Sequence, residues 1–299
     1  MTYPISIGFL GLGHMGASMA ERLLAPDIKL FVFDTRQEAM EPFVKQGATA
    51  CASPGLVANS AEIIFASLPN PHVSEAVASE VAGGSAVRVY AEMSTVGRES
   101  IERIAALLAA RGIACVDSPV TGGPAVARAG NLTLLAAGAP EAVAAVKPWQ
   151  LRIGKTVFVM GDRPGQAQVM KLVNNLLLAA NLVTASEGFV MGAKAGIDPD
   201  AMLAMVNAGT GRSLVTETMM EHVIGGDFAF GGALALLDKD ARLGLAEASA
   251  LNVPMWTLEQ AARVWRFAMI QGHGNDDLTA IARVMEAWAG VEVRRTTKV

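Results

Sequence analysis

The sequence predicts an α/β N-terminal domain followed by an all-α C-terminal domain, the two joined by a long helix. Three observations lead there. Short apolar runs alternate with helix-like segments through the first half. The alternation stops at Gly161, and an unusually long apolar helical stretch follows. Beyond that stretch only helical patterns remain.

The apolar runs are Ile5–Leu10, Leu30–Phe33, Ile63–Ser67, Val87–Ala91 and Ile113–Val116, with helical patterns such as Met15–Leu24 and Arg98–Arg111 between them. Continuous apolar strands separated by helices imply a parallel sheet covered on both faces. Leu132–Ala136 and Val157–Met160 are further strands by the same reasoning. Gly161-Asp162-Arg163-Pro164-Gly165 is a turn by composition. The helix after it runs from about Gln166 to about Lys194 and stops at Gly196, longer than the ~8–20 residues usual for a globular helix. Asp198-Pro199 opens the next helix, since proline suits a first turn. Gly225-Gly226-Asp227, Gly231-Gly232, Asn252-Val253-Pro254 and Gly272-His273-Gly274-Asn275 separate the later ones. The polar tail Arg294–Val299 is expected to fray. At 299 residues the chain is long enough for two domains, taken here as 1–163 and 164–299.

Composition narrows the function. The net charge is −4 and no basic stripe appears, which argues against a nucleic-acid partner. Cys51 and Cys115 have no metal-ligand spacing, and neither do His14, His72, His222 and His273. The most apolar long stretch, Val169–Ala195, carries Lys171, Asn174, Asn175, Asn181 and Glu187, too polar a set for a membrane span. No basic leader precedes Ile5, so the expectation is a cytoplasmic enzyme with no membrane partner.

Gly11-Leu12-Gly13-His14-Met15-Gly16 is a G-x-G-x-x-G run lying directly between a strand and a helix. In that context the first glycine makes the tight turn, the second admits a pyrophosphate and the third lets helix and strand pack closely. The helix N-terminus then presents free amides to the phosphates. This defines a Rossmann-type dinucleotide site. Asp34 ends the second strand, where an acidic residue accepts the ribose hydroxyls and repels a 2′-phosphate. That favours NAD, although Arg36 two residues on is suited to hold the phosphate of NADP. Leu68 and Thr95 lie at the carboxyl ends of the next two strands, on the ligand-binding edge of such a sheet.

Two further segments carry chemistry. Asp117-Ser118-Pro119-Val120-Thr121-Gly122-Gly123 follows the Ile113–Val116 strand, and consecutive small residues there form either a plain connection or an anion-binding nest of backbone amides. Lys171 sits in an apolar helix with Asn174 and Asn175 three and four residues on, which puts all three on neighbouring helix surface. A lone lysine there reads as one snorkelling from a helix edge. The two asparagines favour a ligand site, and a desolvated lysine suits proton transfer.

With those residues in view, the chain resembles the β-hydroxyacid dehydrogenase family, which includes 3-hydroxyisobutyrate dehydrogenases and tartronate semialdehyde reductases. The resemblance rests on four blocks in order: Gly8 to Gly16, Asp117 to Gly123 continuing through Ala127 to Thr133, Gly165 to Asn175, and Leu237-Asp238-Lys239-Asp240. It implies a reaction moving hydride between NAD, or NADP, and a small β-hydroxy acid or its semialdehyde. It implies Lys171 as the acid/base group, Thr121, Gly122, Gly123 and Asn175 as substrate ligands, and Thr95 and Lys239 near cofactor and substrate. It also adds weight to a homodimer or homotetramer. Thr121 stands where the family more often has serine and keeps the hydroxyl. Pro148-Trp149-Gln150-Leu151-Arg152 departs from the ordinary helix expected there and is expected to sit away from the motifs. The competing readings are a non-catalytic nucleotide-binding module and an imine reductase of related fold. The Lys171–Asn175 pair disfavours the first, and the presence of Lys171 the second.

Overall fold

A computed structural model describes residues 4–295. The chain divides into two compact units between Lys171 and Leu172, inside the long helix rather than before it.

Among the described residues, the first unit holds strands β1 (Ile5–Leu10), β2 (Ile28–Phe33), β3 (Thr49–Ala50), β4 (Ile63–Ala66), β5 (Val89–Glu92), β6 (Ala114–Asp117), β7 (Val120–Thr121), β8 (Leu132–Ala137) and β9 (Gly154–Gly161). Its helices are α1 (His14–Glu21), α2 (Gln37–Val44), α3 (Pro54–Ala58), α4 (Pro71–Val81), α5 (Arg98–Ala109), α6 (Pro124–Arg128) and α7 (Pro140–Ile153). The strands form one sheet in the order β3-β2-β1-β4-β5-β6-β8-β7, with β9 on β8.

From β1 to β6 every pairing is parallel. Alternate residues then serve opposite faces. Ile7, Phe9, Val32 and Phe65 pack with Met19 of α1 and Val146 of α7, whereas Leu10, Ile64 and Tyr90 pack with Val57 of α3, Val81 of α4 and Ile104 of α5. Both faces are covered, which is why the strands read as unbroken apolar runs. The parallel expectation fails at the far edge, where β8 runs antiparallel to both β6 and β7. The link from β6 to β8 spends its residues on β7 and the five-residue α6, leaving no crossover helix of the length a parallel return needs.

Helix α8 (Gln166–Lys194) ends before Gly196, whose φ of +83° is the left-handed stop the sequence suggests. Beyond it come α9 (Pro199–Ala208), a π-helical turn at Val215–Met219, α10 (Met220–Gly225), α11 (Leu234–Ala250), α12 (Trp256–Ile270) and α13 (Ile281–Ala289). Asp198 caps α9 by accepting from the Ala201 amide. The second unit packs around the fully buried Trp265, whose Nε1 donates to the Ala179 carbonyl at 3.2 Å. Gly244 of α11 lets that helix close on α8, since a Cβ there would lie 2.6 Å from Leu176 Cδ1.

Two local expectations are corrected. The first part of the tail is pinned, not frayed: Arg294 donates to Glu286 and to the Val223 carbonyl, and Arg295 pairs with Asp200 and Glu221. The rest of that tail lies outside the described residues. The Pro148 segment is helical after all, because α7 runs through it.

Candidate active site

The glycine run builds a cradle. Gly11 has φ +88°, and a side chain there would collide with the Ser67 carbonyl oxygen. A Cβ on Gly16 would collide with the Gly11 carbonyl oxygen, so that position sets the closeness of α1 to the turn. At Gly13 a Cβ would meet nothing within 4 Å. Gly13 is also the N-cap of α1, with no side-chain cap and no acidic residue in the first turn. Uncapped amides facing open space suit a pyrophosphate. His14 and Met15 head the helix, His14 exposed, while the Leu12 side chain belongs to the core.

Asp34 Oδ2 accepts from the Leu12 amide at 2.7 Å, which ties the end of β2 to the glycine turn. Its Oδ1 accepts from the Arg36 amide at 2.9 Å and from Arg36 Nε at 3.2 Å. Burial alone would raise the Asp34 pKa, but the Arg36 and Leu12 amides and the Arg36 guanidinium outweigh it and hold it below the ordinary carboxylate value. A cavity of about 820 Å³ borders this residue, walled by Phe33, Met40, Val44 and Cys51.

At the carboxyl ends of β5 and β6, two buried carboxyl groups stand in register, Glu92 beside Asp117. Glu92 accepts from Tyr90 Oη and from the Ser94 amide, both at 3.0 Å, and burial pushes its pKa up to about 7. Ser94 Oγ accepts from the Leu68 amide at 2.6 Å, so the predicted cofactor position Leu68 and the residue before Thr95 share one buried network. Asp117 accepts from the Gly165 and Gln168 amides and from Gln168 Nε2, each at 2.9 Å. Burial raises its pKa to about 6 against these donors. Next to it, buried Ser118 accepts from Gln150 Nε2 at 2.7 Å. The unusual Pro148–Arg152 segment therefore supports the start of this motif and is not remote from it.

The Thr121 segment is more structured than a loop of small residues. Val120-Thr121 pairs with β8, Gly122 takes φ +124° and Gly123 caps the short α6. Where the sequence offers a nest or a plain connection, the segment is a strand edge turning into a helix start, with Gly123 at an N-cap that has no side-chain cap.

Lys171 is 8 % exposed on the first turns of α8. One helical turn on, in the second unit, Asn175 is buried and donates from Nδ2 to Asp240 Oδ2 at 2.6 Å. Asn174 Nδ2 donates to Asn175 Oδ1 at 3.0 Å, so it steadies its neighbour. Lys239 Nζ lies 3.0 Å from Asp240 Oδ1, an ion-pair contact without hydrogen-bond alignment. Asp240 thus joins Asn175 and Lys239. A second cavity of about 590 Å³, walled by Phe189, Met202, Met205 and Arg212, holds none of the predicted site residues. Among the described residues no cluster of His, Cys, Asp and Glu suits a metal.

A doubly wound sheet with a glycine-cradled helix N-terminus, followed by a helical unit entered through a lysine-bearing helix, defines a nicotinamide-dinucleotide-dependent dehydrogenase. Known proteins place it further. Residues 6–161 match the NAD-binding domain of 6-phosphogluconate dehydrogenase, and residues 165–285 match the NAD-binding unit of NADP-dependent 3-hydroxyisobutyrate dehydrogenase. The 2-(hydroxymethyl)glutarate dehydrogenase of Eubacterium barkeri is 38% identical, covering 98% of this chain and 99% of its own. The 3-sulfolactaldehyde reductase of Escherichia coli is 31% identical over 97% and 98%. A crystal structure of a 3-hydroxyisobutyrate dehydrogenase from Salmonella typhimurium superposes with TM-score 0.83 at 27% identity, covering 94% of this chain and 99% of that one. The chain belongs to the β-hydroxyacid dehydrogenase family, whose cofactor is NAD or NADP.

Proposed function

We propose that the chain catalyses reversible hydride transfer between NAD and a small acid whose hydroxyl or carbonyl is β to the acid group, with Lys171 as its acid/base residue. The carrying observation is the buried Lys171 on the same helix as Asn175, in a chain whose glycine turn fits a dinucleotide. A bound NAD would supply the hydride acceptor. Gly11, Gly13, Gly16 and the first turn of α1 would hold its phosphates, Asp34 its ribose, and Leu68 and Thr95 the nicotinamide side. Lys171 Nζ takes the hydroxyl proton in oxidation and returns it in reduction, a contribution of about 10²–10⁴-fold. Thr121, Gly122, Gly123 and Asn175 supply neutral donors for the carboxylate, and Lys239 adds a positive charge.

The relatives' names support the substrate class, since 2-(hydroxymethyl)glutarate, 3-hydroxyisobutyrate and 3-sulfolactaldehyde all carry an acid group. A catalytic lysine favours a dehydrogenase over a non-catalytic module or an imine reductase. The test is a panel of such acids assayed with NAD or NADH, each paired with its methyl ester. Each buried donor left unpaired by an ester costs about 1–3 kcal/mol, so the acids should win clearly. Equal kcat/KM for acid and ester would refute the anion site.

The same reading makes the protein a homodimer or homotetramer of the cytoplasm. In the second unit Met191, Met205, Trp256, Ile270 and Trp288 are each about two-thirds or more exposed, an apolar excess that association would cover. Light scattering showing only monomer at micromolar concentration would count against it. Helix α8 is long and apolar enough to cross a membrane, but half of its most apolar window is buried inside the protein, as a core helix requires.

A further inference from the structure

Gln168 is fully buried and uses every polar atom of its side chain. Its Oε1 accepts from the Val96 amide at 2.9 Å and the Gly97 amide at 3.0 Å. Its Nε2 donates to the Ser94 carbonyl at 3.0 Å and to Asp117 Oδ1 at 2.9 Å. Asp117 Oδ2 in turn takes the Gly165 and Gln168 amides, two donors that α8 leaves unpaired at its start. One amide and one carboxylate thus bind the first turn of α8 to the segment after β5, around Thr95, and to the end of β6. Rotating or sliding that turn breaks several buried hydrogen bonds at once, each expensive to leave unmade.

Lys171 lies three residues after Gln168, on neighbouring helix surface. Its Nζ must meet a substrate oxygen within hydrogen-bond reach, and a flexible lysine gains that precision only if its helix is held. Helix packing alone sets such a turn loosely, because apolar contacts are non-directional. Directional bonds to both strand ends remove that freedom.

We propose that Gln168, with Asp117, is the positioning device that sets Lys171 for proton transfer and couples it to the Thr95 segment. The inference rests on the acid/base role of Lys171 given above. Gln168 and Asp117 are positioning residues and touch no substrate.

The test is a double-mutant cycle against Lys171→Ala, run with whichever acid of the panel above turns over fastest. Gln168→Met keeps the volume and removes the hydrogen bonds. It should cut kcat by about 100-fold, the scale expected for a misplacement of about 1 Å, and leave cofactor Kd within about twofold. Should that variant fail to fold, Asp117→Asn decides. It keeps acceptors for the two backbone amides, loses the bond from Gln168 Nε2, and should cut kcat by about tenfold. In the Lys171→Ala background each loss should vanish, because the residues act through the lysine. Amide exchange should rise in residues 94–97 and 165–171 and stay unchanged elsewhere in the first unit. The same fold-loss in the Lys171→Ala background, or native kcat in both variants, would overturn the proposal. Native turnover in Lys171→Ala alone would instead overturn the acid/base reading, and the brace's catalytic role with it.

Discussion

Asn175 donates its side-chain amide to Asp240 at 2.6 Å, and both residues are buried. The contact fixes which way the amide faces, because Asn174 occupies its oxygen from the other side. Asp240 also meets Lys239, so one carboxylate steadies two groups assigned to substrate and cofactor.

Asp240→Ala should therefore raise the substrate KM more than the cofactor Kd. Leaving the Asn175 amide unpaired costs about 1–3 kcal/mol, which corresponds to roughly 5–150-fold. Asp240→Asn should recover most of that loss, since an amide oxygen still accepts from Asn175. What it fails to recover reports the Lys239 pair. Steady-state kinetics on both variants checks this, and an unchanged KM in the alanine variant would remove Asn175 from the substrate site.

Lys171→Ala should lower kcat by about 10²–10⁴-fold and leave NAD affinity close to native, because the lysine moves a proton and does not hold the dinucleotide. Cofactor fluorescence titration beside turnover measures both. A loss confined to cofactor binding would contradict the assignment.

The protein should prefer NAD(H) to NADP(H), since Asp34 would face a 2′-phosphate with a carboxylate held ionised. Arg36 is over half exposed and now leans on Asp34. Asp34→Ser should free it to hold that phosphate and shift the kcat/KM ratio by about tenfold or more towards NADP, a change of roughly 1.4 kcal/mol. A native preference for NADPH would show that the arginine governs the site.

Stability should fall as pH rises from 5 to 8, in part through Glu92. Burial raises its folded pKa to about 7, whereas the unfolded value is near 4.5. Between these values the folded protein keeps a proton that the unfolded chain has released. The stabilisation is complete below the unfolded value and disappears as pH rises through 7, on the order of 3 kcal/mol. Asp117, raised to about 6, acts in the same direction. Glu92→Gln should flatten the dependence while Asp117 retains its part. Denaturant unfolding at several pH values checks this, and an identical slope in the variant would mean that Glu92 does not carry the proton.

Much of this was legible in order along the chain. The glycine turn, the run of strands, the extent of α8 and the Asp198 cap depend on periodicity and on residues a few places apart. The sequence alone determined the fold class, the cofactor type, and Lys171 and Asn175 as the residues to examine. Tertiary structure decided what holds them. Gln168 reaches Val96 across 72 residues and Asp117 across 51, and no local pattern distinguishes a braced glutamine from a solvated one. Gln150, in a segment that looked remote, meets Ser118 across 32 residues. The Glu92–Asp117 neighbourhood arises only from strand register, and the reversal of β8 from how the connection is spent. Apolar periodicity is written locally because each element must present a buried face. Polar partners are chosen across the fold, by which groups burial would otherwise leave unpaired.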